Sequence, residues 1–185
     1  MSATEELKHE HMVIERMLVI LNTAAGRADQ GRELPRDFFP KVVDFIRNFA
    51  DRCHHGKEED NLFPELVKRG IPSEDGPVGV MLMEHDQGRA YVRGMDEASQ
   101  RLAKGDQTAL RAAAQNARGY AQLLSQHIDK ENNILYVMAD RVLTAAEQQE
   151  LVKKFEQVEL ERIGPGKHHE YLKLVEDLER ELGIK

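Results

Sequence analysis

The chain has 185 residues, of which 41% are hydrophobic and 32% charged, and its formal net charge is −7. An acidic chain without a basic cluster argues against nucleic acid or anionic membrane as a partner, and no apolar run approaches the roughly 20 residues that span a bilayer. Aromatic residues make up 5% and Trp is absent, so aliphatic side chains must build the core, which suits helices better than sheets. The opening residues "MSATEELKHEH" are polar and acidic, with no visible signal or transit peptide. Cys53 is the single cysteine and precludes an internal disulfide. Together these features predict a cytoplasmic protein.

Six helical segments follow in order. The first spans about Ser2 to Ala28, where "SATE" has the spacing of a capping box. The second begins after Pro35 and runs to about Arg69. The loop "GIPSEDGPVG" breaks the chain before a third helix that ends near Ala103. After "KGD", with Asp106 placed to cap, the fourth runs to about Arg141. A second capping box, "TAAE", opens the fifth, to about Arg162. After "GPG" comes a short sixth helix with Leu172, Val175, Leu178 and Leu182 on one face. No segment alternates as a strand does. The prediction is an all-α fold: an antiparallel up-down four-helix bundle over residues 1–142, and a C-terminal helical extension over 143–185. The extension packs on the bundle or on a partner, as in a homodimer through the C-terminal helices.

One helix pair is written twice. "HHGKEEDNLF" from His54 matches "HIDKENNILY" from His127, and "EH" at Glu10-His11 matches "EH" at Glu84-His85. The second copy has no counterpart of His9, His55 or Glu59, so the repeat selects His11, His54 and Glu58 in the first copy. Helical spacing gives the same selection. The row Val42, Ile46, Ala50, His54, Glu58, Leu62, Leu66 is apolar except at His54 and Glu58. The row through His55 contains Arg47, Asp51 and Glu59 and reads as polar. His127 and Glu131 share a row with Leu123, Leu135 and Ala139, while His11 and His85 fall on the apolar faces of the first and third helices.

Four histidines and two glutamates converging in one core call for compensation, because a buried carboxylate costs several kcal/mol. No basic residue lies on the inward rows, whereas two multivalent cations would neutralise the set. Imidazole with carboxylate and no thiolate suits iron, manganese, cobalt or zinc. Six donors exceed the four of a structural zinc site and suit two metals roughly 3.5–4 Å apart.

On a histidine in helix one, "HHGKE" with "LFP", "EH" in helix three and "HIDKE" with "LY", the chain resembles the hemerythrin-like, or HHE cation-binding, family over about residues 5–140. The resemblance implies a four-helix bundle with a non-haem di-iron centre (Mn or Zn being possible substitutes) completed by a bridging oxo or hydroxo. His11, His54, His85 and His127 would be terminal ligands, and Glu58 and Glu131 bridging ones. It implies a protein that binds or senses dioxygen, nitric oxide or peroxide, or handles iron. The alternatives are a di-iron enzyme decomposing peroxide or reducing nitric oxide, and a metal-free helical interaction module. The oxygen-carrying members have a further histidine one turn after the helix-three ligand, where this chain has Arg89. His55, Glu15, His168, His169 and Tyr171 are candidates to replace it. Tyr120 and Tyr136 fall near the same layer, and Cys53 reads as a core residue.

Overall fold

The computed structural model describes residues 1–184 and is all-helical, with no strand among the described residues. Six helices are present among the described residues. Helix α1 spans Ala3–Asp29 and α3 spans Pro77–Ala103. Helix α2 is continuous over residues 38–68, and α4 over 109–142. Helix α5 spans Ala145–Arg162 and α6 spans Lys167–Leu182.

Local chemistry sets the boundaries. The Ser2 hydroxyl accepts from the Glu5 amide while the Glu5 carboxylate accepts from the Ser2 amide, which starts α1. Thr144 and Glu147 do the same for α5. Asp106 accepts from the amide and hydroxyl of Thr108, ordering the turn just ahead of α4 rather than capping the helix itself. At the other end of α6, Gly183 adopts a left-handed conformation with φ of 64°, as a C-terminal glycine can at little cost.

Helix α4 packs along both α1 and α3, and α2 packs on α3 and more lightly on α1. The approach of α3 to α4 is close. A Cβ on Gly119 would sit 2.3 Å from the Tyr91 ring, so any larger residue there would have to displace that ring. Ala113, Ala114, Ala117 and Ala121 keep the rest of the α4 face small and buried.

Two apolar clusters fill the interior. One joins Met17, Ile20 and Leu21 of α1 to Phe45 and Phe49 of α2, Met95 of α3 and Ala117 of α4. The other joins Leu7, Leu62, Leu66, Val78, Leu135 and Tyr136. Between them in sequence on every long helix lies a short stretch of buried polar residues: Glu10 and His11, His54 to Glu58, Glu84 and His85, His127 and Glu131.

The C-terminal helices pack on their own chain. Leu151 and Phe155 of α5 enter the second cluster, and Tyr171, Val175, Leu178 and Leu182 of α6 enter the first. Among the described residues no helix is long and apolar enough to cross a membrane.

Candidate metal centre

Helices α2 and α4 depart from α-helical winding at the polar layer. Residues Ile46–His55 and Glu58–Leu62 of α2, and Glu131–Leu135 of α4, wind in wide i→i+5 turns. Such turns are uncommon and recur at functional sites. They advance each residue through a smaller angle than an α-turn does. Neighbouring side chains then face the same way more nearly than a 3.6-residue period allows.

That geometry corrects the reading of His55. Ideal α-spacing puts His55 on a polar row, yet it is 3% exposed and faces the interior beside His54. Its ring stacks on that of His85, with centroids 3.8 Å apart and planes 14° from parallel. Phe63, on the same row, is also buried. The other candidates for a fifth histidine's place lie elsewhere. Glu15 and His169 are exposed, His168 packs on Phe49, and the Tyr171 hydroxyl donates to Asp44.

All six residues selected from the sequence are buried and come together, with His55 as a seventh. His55, Glu58, His85 and His127 bring one donor atom each within 4.8 Å of one another, and so do His11, His54 and Glu131. The two carboxylates straddle both groups. Glu58 Oε2 lies 3.4 Å from His85 Nε2 and 3.8 Å from His54 Nε2. Glu131 Oε2 lies 3.2 Å from both His11 Nε2 and His127 Nε2.

Every histidine in the layer is held from behind. The Nδ1–H of His54 donates to Glu10 at 2.8 Å, that of His85 to Glu59 at 2.7 Å, and that of His127 to Glu84 at 2.9 Å. His11 donates to the Asn132 amide oxygen at 2.8 Å, and His55 to Asp51 at 3.4 Å. These bonds fix each ring's orientation and turn each Nε2 inward, where His85 Nε2 and His127 Nε2 are hydrogen-bonded to each other at 3.1 Å. Cations hold the carboxylates in turn. Lys57 donates to Glu10 at 2.5 Å, Lys130 donates to Glu84, and Arg89 reaches both Asp51 and Glu59 at 2.7 Å.

The sequence repeat carried this outer layer too. Glu10 matches Glu84, and Lys57 matches Lys130. The glutamate of each "EH" serves the histidine of the following helix, so Glu10 holds His54 and Glu84 holds His127. Row-by-row reading looks along one helix and does not show pairing across two. Lys57 is fully buried, between Glu6, Glu10 and Glu159, and draws α5 onto the layer. Cys53 is buried as a core residue, and burial pushes its thiol up to about 12.

The titratable groups inside the layer are strongly shifted, and not all in one direction. Burial and the neighbouring Glu131 push the Glu58 carboxyl well above its ordinary range. Burial pushes Glu131 upward as well, but the His127 and His11 imidazoles outweigh it and hold that carboxyl well below its ordinary range. Burial and the neighbouring His11 lower His54 to about 4; burial and the adjacent His55 ring lower His85 to about 3. Burial alone would lower His127, yet Glu131 and Glu84 raise it to about 9.

Among the described residues six buried side-chain atoms have no hydrogen-bond partner, and five belong here: His54 Nε2, His55 Nε2, Glu58 Oε2, and both oxygens of Glu131. Native interiors rarely leave such atoms unsatisfied. Their clustering, with each atom able to offer a lone pair, fits the binding of metal cations. Tyr136 donates to Glu58 at 2.7 Å and orients that carboxylate, while the Tyr120 hydroxyl is the sixth unpartnered atom.

Comparison with known proteins agrees with this chemistry. Residues 2–139 match the hemerythrin HHE cation binding domain. Uncharacterized proteins of Mycobacterium bovis and of two strains of Mycobacterium tuberculosis are each 27% identical over 183 residues, covering 99% of this chain and 71% of theirs. No solved structure matches the chain.

Proposed function

Because the chain belongs to the hemerythrin HHE cation-binding family, we propose that it holds two iron ions and binds or senses a small oxidant or diatomic molecule: dioxygen, nitric oxide or peroxide. One ion would take His55, Glu58, His85 and His127; the other would take His11, His54 and Glu131, with both glutamates shared and an oxo or hydroxo bridge between the ions. The four long helices α1–α4 are read as an antiparallel up-down bundle around this centre, each contributing at least one imidazole. The observation that carries the proposal is the set of five inward imidazole nitrogens and two carboxylates gathered within metal-ligand reach, with five of their atoms unpartnered.

When bound, iron would supply a redox-active Lewis acid for small-molecule coordination. The chain's own groups prepare the place. The Nδ1–H bonds to Glu10, Asp51, Glu59, Glu84 and Asn132 hold the rings in register and raise their basicity. The apolar clusters on either side keep bulk water out. Tyr136 keeps Glu58 oriented toward the centre of the layer.

Optical spectra test this reading. Iron-reconstituted protein is recorded under air, azide, nitric oxide and peroxide. Ligand-dependent charge-transfer bands that are lost in His54→Ala support it. Spectra unchanged by every ligand would overturn it.

A further inference from the structure

A cavity of about 200 Å³ lies between α2, α3 and α4 and borders the proposed metal layer at His55. Its walls are of two kinds. Ile46, Gly88, Val92 and the ring of Tyr120 form an apolar side. Arg47, Arg89 and Arg93 form a cationic side, against the single carboxylate of Asp51. Asp51 is already bound by Arg89 and His55, and Arg47 is bound to Asp96. Arg93 stands exposed at the edge and makes no ion pair among the described residues.

The most specific sign is on Tyr120, one of the lining residues. The Tyr120 hydroxyl is fully buried and has no hydrogen-bond partner. A buried hydroxyl left alone is costly and is satisfied once an acceptor arrives. Gly88 keeps the space beside it open. A Cβ there would already contact Leu124 at 3.4 Å and the Tyr120 ring at 3.6 Å.

We propose that this cavity binds a small organic carboxylate that carries a hydroxyl or carbonyl oxygen at the end away from its charge. The carboxylate meets Arg93 at the cationic edge, the apolar body lies against Ile46 and Val92, and the far oxygen accepts from Tyr120. Size agrees, since an apolar cavity of roughly 150 Å³ holds benzene in a protein core. The site takes one ring with two small substituents. The inference goes beyond the proposed metal function and does not depend on it.

Calorimetric titration of the purified full-length protein with 4-hydroxybenzoate, and with benzoate as comparator, tests the proposal. The expected result is saturable one-to-one binding, with 4-hydroxybenzoate about tenfold tighter. Arg93→Ala weakens both ligands about tenfold. Tyr120→Phe abolishes the preference between them, and Gly88→Val blocks both. Circular dichroism verifies that each variant is folded, and metal content is measured alongside, so a failure here is separable from a failure of the metal centre. Absence of saturable binding to the unsubstituted protein would overturn the proposal. So would a hydroxyl preference that survives in folded Tyr120→Phe.

Discussion

The imidazole of His55 lies flat against that of His85, with ring centroids 3.8 Å apart. Arg89 links their outer partners, reaching Asp51 behind His55 and Glu59 behind His85. The oxygen-carrying relatives have a histidine at the place of Arg89. Here the arginine braces two histidines instead of being one, and His55 of α2 is the residue we propose supplies the imidazole.

If His55 supplies a donor to the group with Glu58, His85 and His127, its removal should weaken one metal position and spare the other. His55→Ala is expected to retain about one metal ion per chain after dialysis, where the unsubstituted protein retains two. Elemental analysis reads this directly. Full retention in the variant would return His55 to the role of a core residue.

The carboxylates behind the rings make a separate prediction. Glu10→Gln and Glu84→Gln keep the shape but weaken the acceptor for His54 and His127. Each should lower metal affinity roughly 10–100-fold; Glu10→Gln also weakens the pairing of buried Lys57, so its affinity is read on protein shown folded by circular dichroism. Competition against a chromophoric chelator measures the change. Affinity within twofold of the unsubstituted protein would show that these bonds serve packing alone.

Lys57 tests the polar layer through stability. Lys57→Met removes the cation of a fully buried pair and strands Glu10. The expected loss is about 3–5 kcal/mol, measured by urea unfolding. The paired substitution Glu10→Gln with Lys57→Met should recover part of it, since no lone charge remains. A loss below about 1 kcal/mol in Lys57→Met would contradict the pairing.

Acid should destabilise the metal-free protein. His54 and His85 are held to about 4 and about 3 by burial and neighbouring imidazoles, below the ~6.5 of a free imidazole. The unfolded chain therefore takes up their protons first. The stability they contribute is complete above about pH 6.5 and is lost as pH falls toward their folded values. His127 has the opposite sign. Raised to about 9, it contributes fully below about 6.5 and withdraws as pH rises, so it does not offset the acid loss. Glu58 and Glu131 shift in opposite directions and oppose one another. Melting temperatures in chelator should fall between pH 6.5 and 4; a flat profile would count against neutral buried imidazoles.

Much of this was legible in the sequence, for identifiable reasons. The Ser2–Glu5 and Thr144–Glu147 boxes mark helix starts because their bonds are local. The row from Val42 to Leu66 is buried throughout, as its apolar character requires. His54 with Glu58 and His127 with Glu131 stood out because a charge on an apolar row needs a reason. His55 was misplaced because the wide turns of α2 break the α-helical period that the row assumed. The roles of Glu10, Glu84, Lys57 and Lys130 stayed hidden because their partners sit on other helices, although the repeat preserved all four. The docking of α6 needed the structure, since its apolar face fits its own chain and another equally well.

Metal stoichiometry tests the central claim most directly. Protein reconstituted anaerobically with ferrous iron and freed of excess should contain about two iron ions per chain, and Glu131→Ala, which removes a carboxylate shared by both groups, should lose most of both. A chain that retains no stoichiometric metal, or a Glu131→Ala variant that retains as much as the unsubstituted protein, would contradict the account.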